Sequence, residues 1–273
     1  MNAEVIPPTV SEAIQRVLDR GSTAALVTIV ESRDLPVGSK LLVDVGGETA
    51  GDLGNELLNR RAAEQASQFL STRDEAKLVR VAEFAPDIES LADSALLFER
   101  IEAEPRLIVA GAGHVGASLA RLAALVGYRV TLIDDRAEFL DRKLFEVGAA
   151  RDIELIVATD WAASVAEAIS NGRGVSVAIV TRGHKQDEDC LRAAASANPD
   201  YIGMIGSKRR TNIVLDKLRE EGFADEQLEK VRAPIGLDIG AVSPEEVALA
   251  ILAEIVAERR GGAGTPLSAW RRS

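Results

Sequence analysis

Between residues 107 and 134 the chain carries a run of sequence that few folds can accommodate. A short apolar stretch, Leu107 to Ala110, meets Gly111-Ala112-Gly113-His114-Val115-Gly116, and a helical pattern follows from His114 to Val126. A second apolar stretch, Arg129 to Ile133, ends on Asp134. Glycines in the G-x-G-x-x-G spacing are weak evidence alone. Placed between a strand and a helix, in a βαβ unit of about 30 residues, they describe a nucleotide-binding turn. Gly111 permits the tight turn, Gly113 lets a pyrophosphate approach the backbone, and Gly116 lets helix and strand pack closely. The helix N-terminus adds N–H groups and the positive end of its dipole. Asp134, about 20 residues past the last glycine, is placed to accept hydrogen bonds from a ribose 2′-hydroxyl and argues against a 2′-phosphate.

The alternation continues downstream. Leu155 to Ala158, Val175 to Val180 and Tyr201 to Ile205 read as further strands, each followed by helical sequence. The final helix opens at Ser243-Pro244-Glu245-Glu246, with a serine cap, proline at the first position and glutamate at the third, and runs to about Arg260. This pattern predicts an α/β protein whose C-terminal domain, residues 105–260, is a Rossmann-like doubly wound parallel sheet. Residues 261–273 read as a flexible tail. Upstream, residues 1–100 suggest a small N-terminal α+β domain. It comprises an amphipathic helix from Val10 to Leu18 stopped by Gly21, strands at Ala25–Val30 and Lys40–Val45, a helix over Asn55–Leu70 and a strand over Leu78–Phe84. Glu102-Ala103-Glu104-Pro105 is the expected linker.

Of the 273 residues 47% are hydrophobic and 27% charged, which is enough apolar surface for a folded core. Thirty-two basic against 43 acidic side chains leave a net charge of −11. Nucleic acid and anionic membranes are repelled by such a surface, so an anionic ligand needs a local positive site. No apolar run approaches the ~20 residues of a membrane span, and the start has no signal-peptide pattern. The expectation is a cytoplasmic protein with no membrane span and no nucleic-acid partner. Cys190, the single cysteine, excludes an internal disulfide and a cysteine-rich metal centre, and its place in an alanine-rich helix suggests a buried structural thiol.

The two histidines fall on neighbouring loops of the expected sheet. His114 lies in the glycine turn after the first strand, and His184 follows Val180-Thr181-Arg182-Gly183 after the fourth. In a doubly wound sheet these strands are adjacent at the switch point, where ligands bind. Each histidine has a ligand-binding reading and a local one, His114 shaping the turn and His184 capping a helix that begins near Asp187. A third loop, Gly206-Ser207-Lys208-Arg209-Arg210, puts three cations in a first helical turn, against the dipole, and a bound phosphate would offset that repulsion. No metal site and no complete catalytic set emerges. The residues leave open a cofactor-binding accessory protein, an NAD-dependent oxidoreductase using His184 as acid and base, and a nucleotide-sensing Rossmann module.

Taken together, Leu107–Gly116, Val180–His184, Tyr201–Arg210 and Ala233–Ala241 with its Ser-Pro-Glu-Glu continuation resemble the XdhC/CoxI family of molybdoenzyme maturation factors. The N-terminal segments Ala25–Val30 and Pro36–Val43 match more loosely. The resemblance implies two domains, a homodimer, and a non-catalytic role. Such proteins bind molybdenum cofactor (molybdopterin, in mononucleotide or dinucleotide form) while a cysteine desulfurase supplies its terminal sulfur. They then deliver it to an apo-molybdoenzyme client of the xanthine or carbon monoxide dehydrogenase type. The resemblance places ligand binding at Gly111, Gly113, His114, Gly116, His184, Gly206, Ser207, Lys208, Arg209 and Arg210, with Asp134 and Arg182 beside them. Where many members have a Gly-Gly-Gly-Cys-Val-Glu-like motif, this chain has Ala50–Leu58 without a cysteine, and the segment Ser32–Gly38 is shortened.

Overall fold

The computed structural model describes residues 9–72, 74–141, 153–170 and 174–268, so Trp270 and the last part of the expected tail lie outside the described residues. The chain divides into two compact units, Met1–Ala103 and Glu104–Ser273.

In the first unit, α1 (Val10–Asp19) opens with a capping box in which Thr9 and Glu12 satisfy each other's backbone N–H groups. Strands β1 (Thr23–Glu31), β2 (Lys40–Asp44) and β3 (Thr49–Asp52) follow, then α2 (Glu56–Ser71), β4 (Ala76–Arg80), α3 (Val81–Phe84) and β5 (Ala95–Glu102). The strands form one antiparallel sheet in the order β3-β2-β1-β5-β4. Side chains of β1 alternate between two cores: Ala25, Val27 and Ile29 pack with α2, whereas Ala24 and Leu26 pack with α1.

Besides β3, a short strand absent from the sequence expectation, two features of this unit differ from it. The run Leu78–Phe84 is not one strand; the chain leaves the sheet at Val81 and turns into α3, with the Glu83 carboxylate accepting from the Arg80 N–H at 3.0 Å. This turn swings Phe84 edge-on against Phe98, with ring centroids 6.0 Å apart. β5, which pairs with both β1 and β4, was obscured by its charged second half. The charge has a local use, since Arg100 donates to the carbonyls of Leu70 and Thr72 at 3.1 and 2.8 Å and so caps the C-terminus of α2.

The second unit contains β6 (Arg106–Ala110), α4 (His114–Leu125), β7 (Arg129–Asp134), β8 (Ile153–Val157), α5 (Trp161–Ile169), β9 (Val175–Ile179) and α6 (His184–Ala197). It continues through β10 (Tyr201–Met204), α7 (Lys208–Glu220), α8 (Asp225–Leu228), β11 (Val231–Arg232) and α9 (Pro244–Arg260). All described strand pairs in its sheet are parallel, in the order β11-β10-β9-β6-β7-β8. That is the doubly wound order, with the reversal between β6 and β9. Helices α4 and α9 contribute to the core on one face, and α5, α6 and α7 to that on the other. α9 begins as the sequence indicates: Ser243 accepts from the Glu246 N–H at 3.2 Å and Glu246 accepts from the Ser243 N–H at 2.9 Å. No helix among the described residues is long and apolar enough to cross a membrane.

Candidate functional site

The carboxyl ends of β6, β9 and β10, neighbours in the sheet, each run through a glycine-containing turn into a helix. At the first turn the three glycines serve three different purposes. Gly111 has φ +113°, and a Cβ there would lie 2.6 Å from the Val180 carbonyl oxygen. At Gly116 a Cβ would meet the Gly111 carbonyl oxygen at 1.8 Å, so helix and strand can approach only without a side chain. Gly113 has an ordinary φ of −63° and nothing within 4 Å of an added Cβ. It is the N-cap of α4 and supplies no side chain to its first-turn N–H groups. Gly183 plays the same part at α6, again with no capping side chain. His114 and His184 are therefore the first residues of two helices springing from adjacent strands, and both are exposed. α6 begins at His184 itself, three residues earlier than expected.

Asp134 ends β7 and is almost fully buried. Its Oδ2 accepts from the Ala112 N–H at 2.7 Å and from Arg136 Nη2 at 2.9 Å. Its Oδ1 accepts from the Arg136 N–H at 3.0 Å and from Arg136 Nε at 2.8 Å. Burial pushes the carboxyl up, but the forked pair with Arg136 and the backbone donors outweigh it and hold Asp134 below the ordinary value. The expected free acceptor for a ribose thus spends its lone pairs on the protein, tying the glycine turn to the end of β7.

The basic loop is also partly engaged. Arg210 Nη2 donates to Asp187 Oδ2, and Asp187, with no exposed surface, also accepts from the Thr181 hydroxyl. Burial drives the Asp187 carboxyl up, against the pull of Thr181, Arg210 and the nearby His184. Arg210 Nε is buried without a hydrogen-bond partner. Ser207 caps α7 by accepting from the Arg210 N–H at 3.3 Å, so this helix start, unlike those of α4 and α6, is closed by a side chain. Arg209 is exposed, Gly206 precedes the cap, and Lys208 is the first helical residue, its side chain outside the described set.

Two clefts flank Gly113. One, of about 80 Å³, brings together Gly111, Gly113, Asp134 and Arg182 with Arg136 and Trp161. The other, of about 270 Å³, is lined by His114, Ser118, Arg121, Phe139 and Glu245. The predicted residues are thus divided: His114 faces the second cleft, and His184, Gly206, Ser207, Arg209 and Arg210 line neither. Arg136 and Asp135 were legible as an acid–acid–base run after the strand, and Trp161 as the residue opening α5 at the same sheet edge, where it is also partly packed against the core. Among the described residues no group of three or more His, Cys, Asp or Glu side chains is arranged to hold a metal ion.

Residues 107–255 match the family model of the XdhC Rossmann domain, and residues 17–82 match that of the XdhC and CoxI family. The chain belongs to the XdhC and CoxI family. Over 246 residues it is 29% identical to Uncharacterized protein YqeB of Escherichia coli K12, covering 88% of this chain and 44% of that one. It is 31% identical over 166 residues to a probable xanthine dehydrogenase subunit of Bacillus subtilis, covering 60% of this chain and 46% of the relative. Identity is 29% over 154 residues to the Molybdenum cofactor insertion chaperone PaoD of E. coli K12, covering 56% of this chain and 40% of PaoD. The chain spans less than half the length of these curated relatives. A crystal structure described as a xanthine dehydrogenase from Bacillus halodurans superposes with a TM-score of 0.50 at 16% identity, over 96% of this chain and 99% of that one, and shares the fold.

Proposed function

We propose that this XdhC-family chain is an accessory factor in molybdenum cofactor insertion, serving an apo-enzyme of the xanthine or carbon monoxide dehydrogenase type. It binds the cofactor as cargo, supports its sulfuration and hands it on, acting as a cytoplasmic homodimer without turnover of its own. The observation that carries this reading is family membership, with one relative named a molybdenum cofactor insertion chaperone and another a probable xanthine dehydrogenase subunit. The chemistry of the turn supports it: the starts of α4 and α6 offer N–H groups with no capping side chain, beside open space at Gly113, which suits a pterin phosphate or pyrophosphate. Arg182, half-exposed at the rim, pairs with Asp135 at 3.3 Å, an ion pair that an incoming phosphate would compete for.

The sulfur must come from elsewhere. Cys190 is fully buried and burial pushes its thiol far up, so it is no persulfide carrier, and a cysteine desulfurase is the natural donor. A nicotinamide dehydrogenase has less support, because the acid expected to hold the ribose is already bound to Arg136.

The test is anaerobic equilibrium titration of the purified protein with molybdenum cofactor, NAD and NADH in parallel, followed by reconstitution of a candidate apo-enzyme. One-to-one cofactor binding with stimulated reconstitution is the expected result. Nicotinamide binding without pterin binding would overturn the reading.

A further inference from the structure

We infer that Arg136 is a specificity-determining residue that closes the ribose position of the glycine-turn cleft, so that this Rossmann domain rejects ligands held by an unphosphorylated adenosine ribose. The inference rests on the glycine turn being the ligand site, and not on the identity of the cargo.

Four donors reach the Asp134 carboxylate, and three belong to Arg136. A carboxylate has about four lone-pair sites, so no acceptor capacity is left for a ribose diol. Arg136 is held from further directions. Its guanidinium lies 3.8 Å from the Phe139 ring centroid, and Nε is 3.7 Å from Asp135 Oδ1. Phe139 is brought there by a 3₁₀ turn, Ala137–Leu140, whose Phe139 N–H donates to the Arg136 carbonyl at 3.1 Å. The segment from Asp134 to Phe139 therefore builds the acceptor, the plug and the surface that supports the plug.

The space agrees with the hydrogen bonding. With Arg136 in place the cleft holds about 80 Å³. That is well below the roughly 300 Å³ at the small end of ligand pockets. To enter, a nucleoside must displace the guanidinium, breaking a forked ion pair and a cation–π contact before gaining any bond to Asp134. Ligands anchored through a phosphate on the α4 N–H groups, with no ribose at Asp134, do not meet this barrier.

ADP and 2′-deoxy-ADP are suitable probes because they differ only in the hydroxyl that Asp134 would bind. Calorimetric titration of wild type is expected to show weak binding that does not distinguish them. Arg136→Ala frees the carboxylate, and ADP affinity should rise about tenfold to a hundredfold, the worth of a hydrogen bond to a charged group. The gain should vanish with 2′-deoxy-ADP and in the double variant Arg136→Ala, Asp134→Asn. General loosening of the cleft would not produce that double dependence. If Arg136→Ala does not fold by thermal melting, Arg136→Met, which keeps the apolar stem and carries no donor, makes the same comparison. The inference is overturned if wild type already prefers ADP to 2′-deoxy-ADP, if the variants gain no affinity, or if the gain ignores the hydroxyl and Asp134. A parallel titration with molybdenum cofactor separates the readings: its failure in wild type removes the proposed cargo and leaves the ADP comparisons standing.

Discussion

Gly113 and Gly116 lie three residues apart in one turn, yet alanine at each should have opposite consequences. An alanine Cβ at 116 would sit 1.8 Å from the Gly111 carbonyl oxygen and 3.2 Å from Val180 Cγ2. To reach even 3.0 Å from that oxygen, the start of α4 must retreat by about 1.2 Å, since backbone cannot rotate away as a side chain can. The retreat disturbs a helix face on which Leu119, Ala120 and Ala123 are fully buried. Overpacking of this kind costs about 3–4 kcal/mol at its upper end, against about 1 kcal/mol gained in helix propensity over glycine. The net loss is about 2–3 kcal/mol. Gly113→Ala meets nothing and keeps its ordinary φ, so its cost should not exceed the roughly 0.5–1 kcal/mol by which glycine is preferred to alanine at an N-cap. What it changes is access, because its methyl enters the space where a phosphate would approach the backbone. Urea unfolding followed by tryptophan fluorescence tests the pair, because Trp161 opens α5 in the second unit and the first unit's described residues contain no tryptophan. With a slope of about 2 kcal/mol/M, Gly116→Ala should lower the midpoint by about 1 M. Gly113→Ala should shift the midpoint by no more than about 0.5 M and weaken binding of molybdenum cofactor. An unshifted midpoint for Gly116→Ala, or a large shift for Gly113→Ala, would refute the assignment of steric roles.

Two buried carboxylates at this sheet edge should respond to pH in opposite directions. Asp134 is held below its ordinary value of 3.8, so its contribution is complete above that pH and is lost as pH falls through the depressed value. Asp134→Asn should cost about 1.5–3 kcal/mol at neutral pH, and the deficit measured by urea midpoints should shrink only in strong acid. Asp187 is raised, so its favourable contribution belongs to low pH and is lost as pH rises through the raised value. Arg210→Ala leaves it buried and unpaired, which should cost about 3 kcal/mol at neutral pH, and mild acid should relieve that deficit by protonating the carboxyl. A deficit that grew on acidification would contradict this assignment. Cys190 should react with a thiol reagent only at the rate of unfolding, and Cys190→Ala should leave cofactor sulfuration unchanged in reconstitution; fast labelling of the native protein would contradict its burial.

Features governed by nearest neighbours in sequence were legible. The Ser243 cap, the stop at Gly21 and the strand–glycine–helix pattern at Gly111–Gly116 depend on atoms within a turn of each other. The adjacency of β6 and β9 followed from the alternation, because parallel strands joined by right-handed crossovers have few arrangements. Departures occurred where a remote contact overrides a local pattern. Val81–Phe84 reads as strand but folds as helix because Phe84 packs on Phe98 and the Val81 N–H donates to the Ser94 carbonyl. β5 carries charge at Glu99 and Arg100 that looks like loop until the end of α2 is brought alongside to be capped.

By itself, the sequence determined the doubly wound class, the glycine turn at the switch point and the helix opened by Gly113-His114. Those properties come from periodicity and from backbone geometry that only glycine, proline or a capping side chain permits. Tertiary structure alone decided which charges are available. Asp134 accepts from Ala112, on the neighbouring strand's turn, and Asp187 pairs with Arg210, on another helix. A side chain's charge is written in its residue type, but its partner is set by folded distances and by the cost of leaving a buried ion unpaired.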